Sequence, residues 1–242
     1  MAKKQRIDKI LGNMGYGSRK ELKKIAKTGA IRVNGKPIKD SSTKVDPDEE
    51  EIYFYDEEVI AREYIYLMLN KPKGFISATE DYLHDTVLDL IDQNYLIFDI
   101  FPVGRLDKDT EGLLILSNDG QFAHNILSPK KNIKKKYYAI IDGRVNEEDI
   151  ELFEEGIVLD DGYQTLPADL KIIKSGRNSE IELIITEGKY HQVKRMFEAI
   201  DKKVIYLKRL SIGGLNLDKN LELGEYRELN EEEIKNIMTN KI

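Results

Sequence analysis

The sequence predicts an α+β protein of two domains, a small one at residues 1–60 and a larger one at residues 61–242 that is built around a largely antiparallel sheet. Strand-like runs follow one another in the larger part with helical patterns gathered between them, which favours α+β over strict alternation. The charge changes at the same place: residues 1–44 contain 13 Lys/Arg and 3 Asp/Glu, whereas eight acidic residues lie between Asp46 and Glu58. A length of 242 residues suits two domains.

The first domain is predicted to contain two helices and a hairpin. Apolar residues at positions 7, 10 and 11 follow helical spacing. A capping-box pattern at residues 18–21 predicts a second helix that begins at position 19 and ends at Gly29. An Asn-Gly pair in the middle of residues 31–38 is typical of a tight hairpin turn. Residues 52–55 are expected to complete this small sheet.

A linker over residues 56–62 is expected to precede the second domain. Alternation and β-branched residues predict its strands, and helical periodicity predicts the helices between them. The predicted strands are Tyr64–Asn70, Leu113–Ser117, Tyr137–Ile141, Ala168–Ile173, Glu180–Thr186 and Lys203–Ile212. The predicted helices are Thr86–Ile91, Gln121–Leu127, Glu147–Glu155, His191–Ile200 and Asn230–Ile237.

Composition excludes several classes of function. The chain has no cysteine, so disulfides and thiolate metal sites are excluded. No apolar run approaches the ~20 residues of a membrane span, and the first residues lack the apolar core of a signal peptide. We therefore expect a cytoplasmic protein with no membrane partner. The net charge of −6 conceals a local charge of +10 over residues 1–44, which indicates an RNA-facing end or, alternatively, a solvated lysine face.

The segment Phe101–Leu116 contains the strongest candidate for chemistry. It places Arg105 and Asp107 in a short polar loop between two apolar runs, so a carboxylate lies beside an arginine and between glycines. Asp109 and Glu111 are rival acids in the same loop, and all three could simply be solvated turn residues. The three histidines are far apart in the sequence, and Gly-rich phosphate loops are absent, so neither a metal nor a cofactor is expected.

Two further blocks accompany this segment over about 130 residues: Tyr64–Thr79, with its Asn-Lys-Pro-Lys-Gly, and Glu187–Phe197. The three blocks, in this order, resemble the pseudouridine synthases, and Tyr190–Phe197 is most similar to the RsuA branch, which modifies small-subunit ribosomal RNA. Residues 5–55, with their helix–helix–hairpin order, resemble the S4 RNA-binding domain.

The resemblance implies three catalytic residues. Asp107 would attack the target nucleotide, as nucleophile or as base. Lys194 would pair with that carboxylate, and Arg195 is the adjacent competitor, although neighbours on a helix point about 100° apart. Tyr137 would stack on the flipped uracil, while Tyr138 would face the other side of the strand. Without the resemblance, the default for such residues is a surface Lys-Arg pair and a packed tyrosine.

The resemblance also implies a set of residues that contact RNA. Arg105 would fill the space that the extruded base vacates, or else form an ion pair with Asp107 or Asp109. Each of the other basic residues is, individually, more often a solvated surface group, and only the cluster carries the inference. The remaining candidates from the resemblance are Arg6, Lys9, Arg19, Lys20, Lys23, Lys24, Lys27 and Lys135. Lys71 and Lys73 are added from the residues themselves, because the loop Asn70–Gly74 that contains them is expected to line the RNA path.

The sequence thus predicts a monomeric enzyme that isomerises one uridine of ribosomal RNA, with 16S rRNA and the uridine-516 site as the first choice of target. The substrate would be free RNA, an assembly intermediate or a finished subunit. One alternative is the same reaction on 23S rRNA. Another is a non-catalytic assembly factor built on an S4 domain, against which the presence of Asp107, Tyr137 and Lys194 together argues.

Overall fold

A computed structural model describes residues 4–47, 49–59 and 61–239. The chain forms two compact units. The first unit runs to Ile65 and adds the segment Asp92–Ile100, and the second consists of Tyr66–Ile91 and the chain from Phe101 onward. Residues 92–100, expected in the second domain, therefore pack with the first unit. Ile60, at the expected boundary, lies outside the described residues.

The first unit combines short helices with two small antiparallel sheets. Strand β1 pairs with β4, and a second sheet has the order β3-β2-β5-β6. Residues 57 and 58 pair with β5, so the expected linker over residues 56–62 contains a strand. The elements of this unit are β1 (Gln5–Arg6), α1 (Ile7–Asn13), α2 (Arg19–Thr28), β2 (Ile31–Val33), β3 (Lys36–Pro37), β4 (Lys44–Val45), β5 (Ile52–Phe54), β6 (Glu57–Glu58) and α3 (Gln93–Leu96).

Local chemistry at the ends of α2 explains its position. The Ser18 hydroxyl accepts a hydrogen bond from the Glu21 amide, and the Glu21 carboxylate accepts one from the Ser18 amide at 2.8 Å. This capping box confirms the predicted start at Arg19. Gly29 ends the helix in the left-handed conformation, with φ +83°. The apolar face, including Leu22 and Ala26, is fully buried.

The second unit is a nine-stranded sheet with helices around it. The strand order is β11-β12-β10-β13-β9-β7-β15, with β14 on β13 and β8 on β9. All pairs are antiparallel except β9 with β13. The strands are β7 (Tyr66–Lys71), β8 (Phe101–Val103), β9 (Glu111–Ser117), β10 (Lys135–Asp142), β11 (Asp169–Lys174), β12 (Asn178–Ile185), β13 (Lys203–Ile212), β14 (Leu215–Asn216) and β15 (Tyr226–Glu228). The helices are α4 (Gly120–Leu127), α5 (Glu147–Glu155), α6 (Gln192–Glu198) and α7 (Glu231–Ile237).

This architecture confirms the predicted α+β class. The six predicted strands and the helices α4 to α7 are present, with ends shifted by no more than two residues. Residues 87–90 form a short 3-10 helix where an α-helix was predicted. Strands β8, β14 and β15 were not predicted, because two or three residues are too few to show periodicity. Within the described residues, no helix has the length and apolar character needed to cross a bilayer.

Candidate active site

The loop over residues 104–110 joins β8 to β9. Lys71, the last residue of β7, binds the backbone of this loop. The Lys71 side chain is fully buried. Its ammonium donates hydrogen bonds to the carbonyl oxygens of Thr110 at 2.9 Å, Pro72 at 3.0 Å and Asp107 at 3.1 Å. Burial lowers the pKa of Lys71 to about 8, although nearby carboxylates oppose this shift.

This environment corrects the expectation that Lys71 lines the RNA path. An ammonium with no exposed surface and with backbone carbonyls around it cannot reach a phosphate. The neighbouring Lys73 is exposed, as the expectation requires. Lys71 instead fixes the backbone on both sides of Asp107.

A second clamp on the loop comes from the segment that follows β7. The Ser77 hydroxyl donates to the Leu106 carbonyl at 2.9 Å and accepts from the Leu106 amide at 3.0 Å. The Gly74 amide donates to the Lys108 carbonyl at 2.7 Å. The residues on either side of Asp107 are therefore bound to one neighbouring segment, which restricts the position of its carboxylate.

Lys194 on helix α6 brings a positive charge to the Asp107 carboxylate. Its Nζ lies 3.0 Å from Asp107 Oδ2 and 2.5 Å from Asp109 Oδ1. Burial opposes the charge on Lys194, but hydrogen bonds to Asp109 and Asp107 outweigh it and raise the Lys194 pKa above its ordinary value. The pKa of Asp109 is lowered, because its bond to Lys194 outweighs the cost of burial. Lys194 is thus a cation shared by two carboxylates.

Arg195 points elsewhere. Its guanidinium forms ion pairs with Asp160 and, at 2.7 Å, with Asp161. These bonds raise the Arg195 pKa. The roughly 100° between adjacent helical side chains separates the two basic residues as expected, and Lys194 is the one that reaches Asp107.

A buried carboxylate anchors the start of α6. Glu187 accepts hydrogen bonds from the Tyr163 hydroxyl at 2.7 Å, the Leu166 amide at 2.9 Å and the Gln192 side chain at 2.9 Å. Glu187 and Gln192 are both buried. These bonds tie the helix to the loop before β11, so the position of Lys194 does not depend on its own ion pairs alone.

Tyr137 and Tyr138 face opposite sides of β10. Tyr137 is buried, and it lines a cavity that Asp107 also lines. Tyr138 donates to Glu180 at 2.8 Å and packs edge-on against Tyr206. Of the two tyrosines, Tyr137 is therefore the one that a ligand in the cavity can touch.

The cavity has a volume of about 670 Å³ and lies within the second unit. Leu106, Leu207 and Ile185 give it an apolar wall, and Asp107 and Lys194 provide its charged end. Arg105 lines it and is exposed, and among the described residues it has no ion pair with Asp107 or Asp109. An apolar pocket with a few convergent polar groups is the usual form of a small-ligand site.

The other predicted RNA contacts differ in their environments. Lys135 is half-buried, its Nζ donates to the Ile133 carbonyl at 3.0 Å, and burial lowers its pKa to about 8. Arg6 forms an ion pair of 2.6 Å with the buried Asp8. The remaining candidates in the first unit are exposed: Lys9, Arg19, Lys20, Lys23, Lys24 and Lys27.

Three residues of the site were not singled out from the sequence. His191 Nε2 lies 3.6 Å from Asp107 Oδ1, and the ring of Tyr190 stacks on His191. Ser77 forms the clamp on Leu106. His191 and Tyr190 both lie within the block Glu187–Phe197. Their position in that block was the feature of the sequence that could have identified them as site residues.

Comparisons with known proteins identify the family of both parts of the chain. The profile of the RNA pseudouridylate synthase family matches residues 65–199, and that of the S4 domain matches residues 5–51. An uncharacterized RNA pseudouridine synthase of Bacillus subtilis, YtzG, is 53% identical over 231 residues, which cover 95% of this chain and 96% of the relative.

Two further proteins extend the comparison. Ribosomal small subunit pseudouridine synthase A of Vibrio parahaemolyticus is 40% identical over 96% of this chain and 99% of its own. A crystal structure of a pseudouridylate synthase superposes with a TM-score of 0.68 at 38% identity, covering 96% of this chain and 99% of that one. The similarity in sequence and in fold extends over both the S4 domain and the second unit. The chain belongs to the RNA pseudouridine synthases.

Proposed function

We propose that this enzyme isomerises one uridine of small-subunit ribosomal RNA, and that Asp107 is the residue that reacts with the nucleotide. The observation that carries the assignment of Asp107 is its pairing with Lys194 at 3.0 Å inside the cavity that Tyr137 also lines. The choice of RNA is supported by the Vibrio relative, which is named for the small subunit and is 40% identical. The uridine-516 site is the first candidate for the target.

The reaction requires few groups from the protein. The bond between N1 of uracil and C1′ of ribose breaks, the base turns, and a bond forms between C5 and C1′. The proton that leaves C5 is balanced by the proton that N1 carries in the product, so no atom is gained or lost. One reactive carboxylate, a binding surface for the loose base and exclusion of water are sufficient.

Each of the three proposed catalytic residues supplies one of these needs. The ammonium of Lys194 lies 3.0 Å from Asp107 Oδ2 and places a positive charge beside the carboxylate that is proposed to attack. The Tyr137 ring offers a flat apolar face for the detached uracil. Arg105, exposed at the cavity and without a carboxylate partner among the described residues, is free to enter the space that the extruded nucleotide leaves in the RNA.

Several other features belong to this proposal. A monomer is the proposed active form. Ribosomal RNA, free or within an assembly intermediate, is the proposed partner, and the cytoplasm is the proposed compartment. The same reaction on large-subunit rRNA is the alternative, and it would use the same residues.

The test of the target is a map of pseudouridine in all ribosomal RNAs of a strain that lacks the gene. We expect one site of the small-subunit rRNA to lose its modification and to regain it when the wild-type gene is restored. Loss confined to large-subunit rRNA would overturn the choice of target and leave the reaction intact. No loss at any rRNA site would overturn the proposed substrate class.

The test of the residue is Asp107→Asn, which keeps the shape of the side chain and removes its charge. We expect no isomerisation of an rRNA transcript, while RNA binding persists. Asp109→Asn is the matched control, because it also contacts Lys194 but is 71% exposed, and it should retain most of its activity. Release of tritium from C5 of labelled uridine into water measures turnover. Turnover by the Asp107 variant above a no-enzyme blank would remove Asp107 from this role.

A further inference from the structure

Tyr190 and His191 form a pair of parallel rings at the edge of the cavity. Their centroids are 3.8 Å apart and their planes differ by 17°. His191 covers one face of the tyrosine ring, yet Tyr190 as a residue is 74% exposed. In the described part of the chain no other aromatic ring packs against it. One face of Tyr190 is therefore covered and the other is open to solvent.

The stacked rings lie between the Asp107 carboxylate and the solvent. His191 Nε2 lies 3.6 Å from Asp107 Oδ1, and both rings line the cavity. The target uracil is to be held between Asp107 and Tyr137. With the uracil there, the nucleotides on either side of it would continue outward past the cavity lining, which includes the exposed Tyr190.

The backbone holds the two rings in place although Tyr190 is exposed and His191 is only half-buried. His191 adopts the left-handed conformation, with φ +49°. The preceding Lys189 amide donates to the Gln192 side chain at 2.8 Å, and Gln192 is itself bonded to the buried Glu187. The Lys189 ammonium lies 4.4 Å from the centre of the Tyr163 ring. A surface ordered before the ligand arrives loses less conformational entropy on binding.

RNA chemistry supplies a ligand for such a surface. When a nucleotide is extruded, the bases next to it lose a stacking neighbour. Aromatic side chains replace that stacking for any base, because every base has a π-face, and the preferences that remain follow stacking strength. A purine, with two fused rings, overlaps a tyrosine more than a pyrimidine does.

We propose that the Tyr190–His191 stack is a second base-binding subsite, which stacks the nucleobase adjacent to the target uridine and prefers a purine there. The inference rests on the proposed function, because it takes RNA with an extruded uridine as the substrate. It goes beyond the reaction itself, since it assigns the contact that selects the nucleotide beside the target.

The first experiment compares turnover of rRNA fragments that contain the mapped uridine. Tyr190→Ala should lower kcat/KM about five- to a hundredfold, mainly through KM, and Tyr190→Phe should rescue it because the ring remains. The control is Tyr82→Ala, which removes a fully exposed tyrosine from outside the cavity lining. In fragments with an abasic nucleotide on the 5′ or the 3′ side of the uridine, one of the two positions should abolish the difference between wild type and Tyr190→Ala.

An equal loss of kcat/KM in Tyr190→Ala on the intact and both abasic fragments would overturn the proposal. The ring would then support the structure of the enzyme rather than stack on a base. No loss at all would overturn it as well. A failure of Tyr190→Phe to restore activity would replace stacking with a role for the hydroxyl.

The second experiment does not depend on turnover. Asp107→Asn is mixed with a fragment that carries the fluorescent purine 2-aminopurine beside the uridine. Stacking should quench the fluorescence on binding, and the double variant Asp107→Asn/Tyr190→Ala should bind without quenching. Equal quenching by both proteins would overturn the subsite. If the wild-type enzyme modifies none of the rRNA fragments, the proposed function fails, and the quenching result still decides whether Tyr190 binds a base.

Discussion

At the scale of single residues, the site depends on which of two adjacent cations reaches Asp107. Lys194 and Arg195 have the same sign of charge and lie side by side in the sequence. Lys194 contacts Asp107 and Asp109, whereas Arg195 is bound by Asp160 and Asp161. The acidic pair Asp160 and Asp161 therefore holds Arg195 away from the Asp107 carboxylate.

We expect Lys194→Met to lower kcat on the order of a hundredfold, the size of the effect when one preorganised electrostatic partner is removed. Arg195→Met, the matched control, should lower it much less, because it removes a cation that does not touch Asp107. Single-turnover kinetics with an rRNA transcript separates this effect from RNA binding. A larger loss in the Arg195 variant would transfer the partner role to Arg195.

Lys71 carries a prediction about pH, because its folded pKa of about 8 lies below the ordinary value of 10.5. Below pH 8 the folded and unfolded chains both hold this proton. Between pH 8 and 10.5 the unfolded chain keeps the proton that the folded chain has lost, so the contribution of Lys71 makes the free energy of unfolding rise with pH. The full rise is roughly 3 kcal/mol.

The measurement is urea unfolding of wild type and Lys71→Met at several pH values. The wild-type minus variant difference in unfolding free energy should increase from pH 7.5 to 10.5, since other titrating groups cancel in it. Lys73→Met, an exposed neighbour, should show no such increase. A constant difference for Lys71→Met would mean that the carbonyls of Pro72, Asp107 and Thr110 keep the ammonium charged throughout this range.

At the scale of elements, the parallel pairing of β9 with β13 demands a glycine. Gly112 lies opposite Arg209 in this pairing and has φ +102°. A Cβ on Gly112 would lie 2.2 Å from the Arg209 carbonyl oxygen, a backbone atom that cannot swing aside. A glycine at position 112 therefore allows the two strands to pair beside the loop that carries Asp107.

We expect Gly112→Ala to destabilise the protein by about 2 kcal/mol or more, from backbone strain and the steric clash together. Gly120→Ala is the matched control, because a Cβ there meets nothing within 4 Å and the residue begins helix α4. It should be neutral or slightly stabilising. Thermal unfolding followed by circular dichroism tests both, and equal melting temperatures would refute the close approach of the two strands.

At the scale of the whole molecule, positive charge is concentrated in the first unit although the chain is acidic. Lys20, Lys23, Lys24 and Lys27 follow the spacing of one face of α2, and all four are exposed. Leu22 and Ala26, on the opposite side, pack in the core. The helix thus separates an apolar face from a face suited to RNA phosphates.

Replacing Lys20, Lys23 and Lys24 together by Gln should weaken RNA binding and flatten its dependence on salt. Each lost phosphate contact reduces the slope of log K against log salt concentration by about 0.7–0.9. The control replaces Lys171, Lys203 and Lys219 by Gln, which removes the same charge from exposed positions of the second unit. Filter binding measures both slopes. An equal change in the two triple variants would mean that only net charge matters.

The sequence by itself determined the fold class, most of the elements and the reaction. Caps and turns are set by neighbouring residues, so Ser18, Gly29 and the turn at residues 34–35 could be recognised locally. Periodicity identified the long strands and helices for the same reason. The three blocks Tyr64–Thr79, Phe101–Leu116 and Glu187–Phe197 identified the family, because each is a short continuous segment that can be recognised directly in the sequence.

Only the tertiary structure decided which side chains meet. It buried Lys71 against the loop that carries Asp107, brought Lys194 to Asp109 across 85 positions of sequence and placed His191 beside Asp107. It also packed residues 92–100 with the first unit. These outcomes depend on contacts between residues far apart in the chain. A local sequence pattern does not indicate which distant residue a side chain will contact.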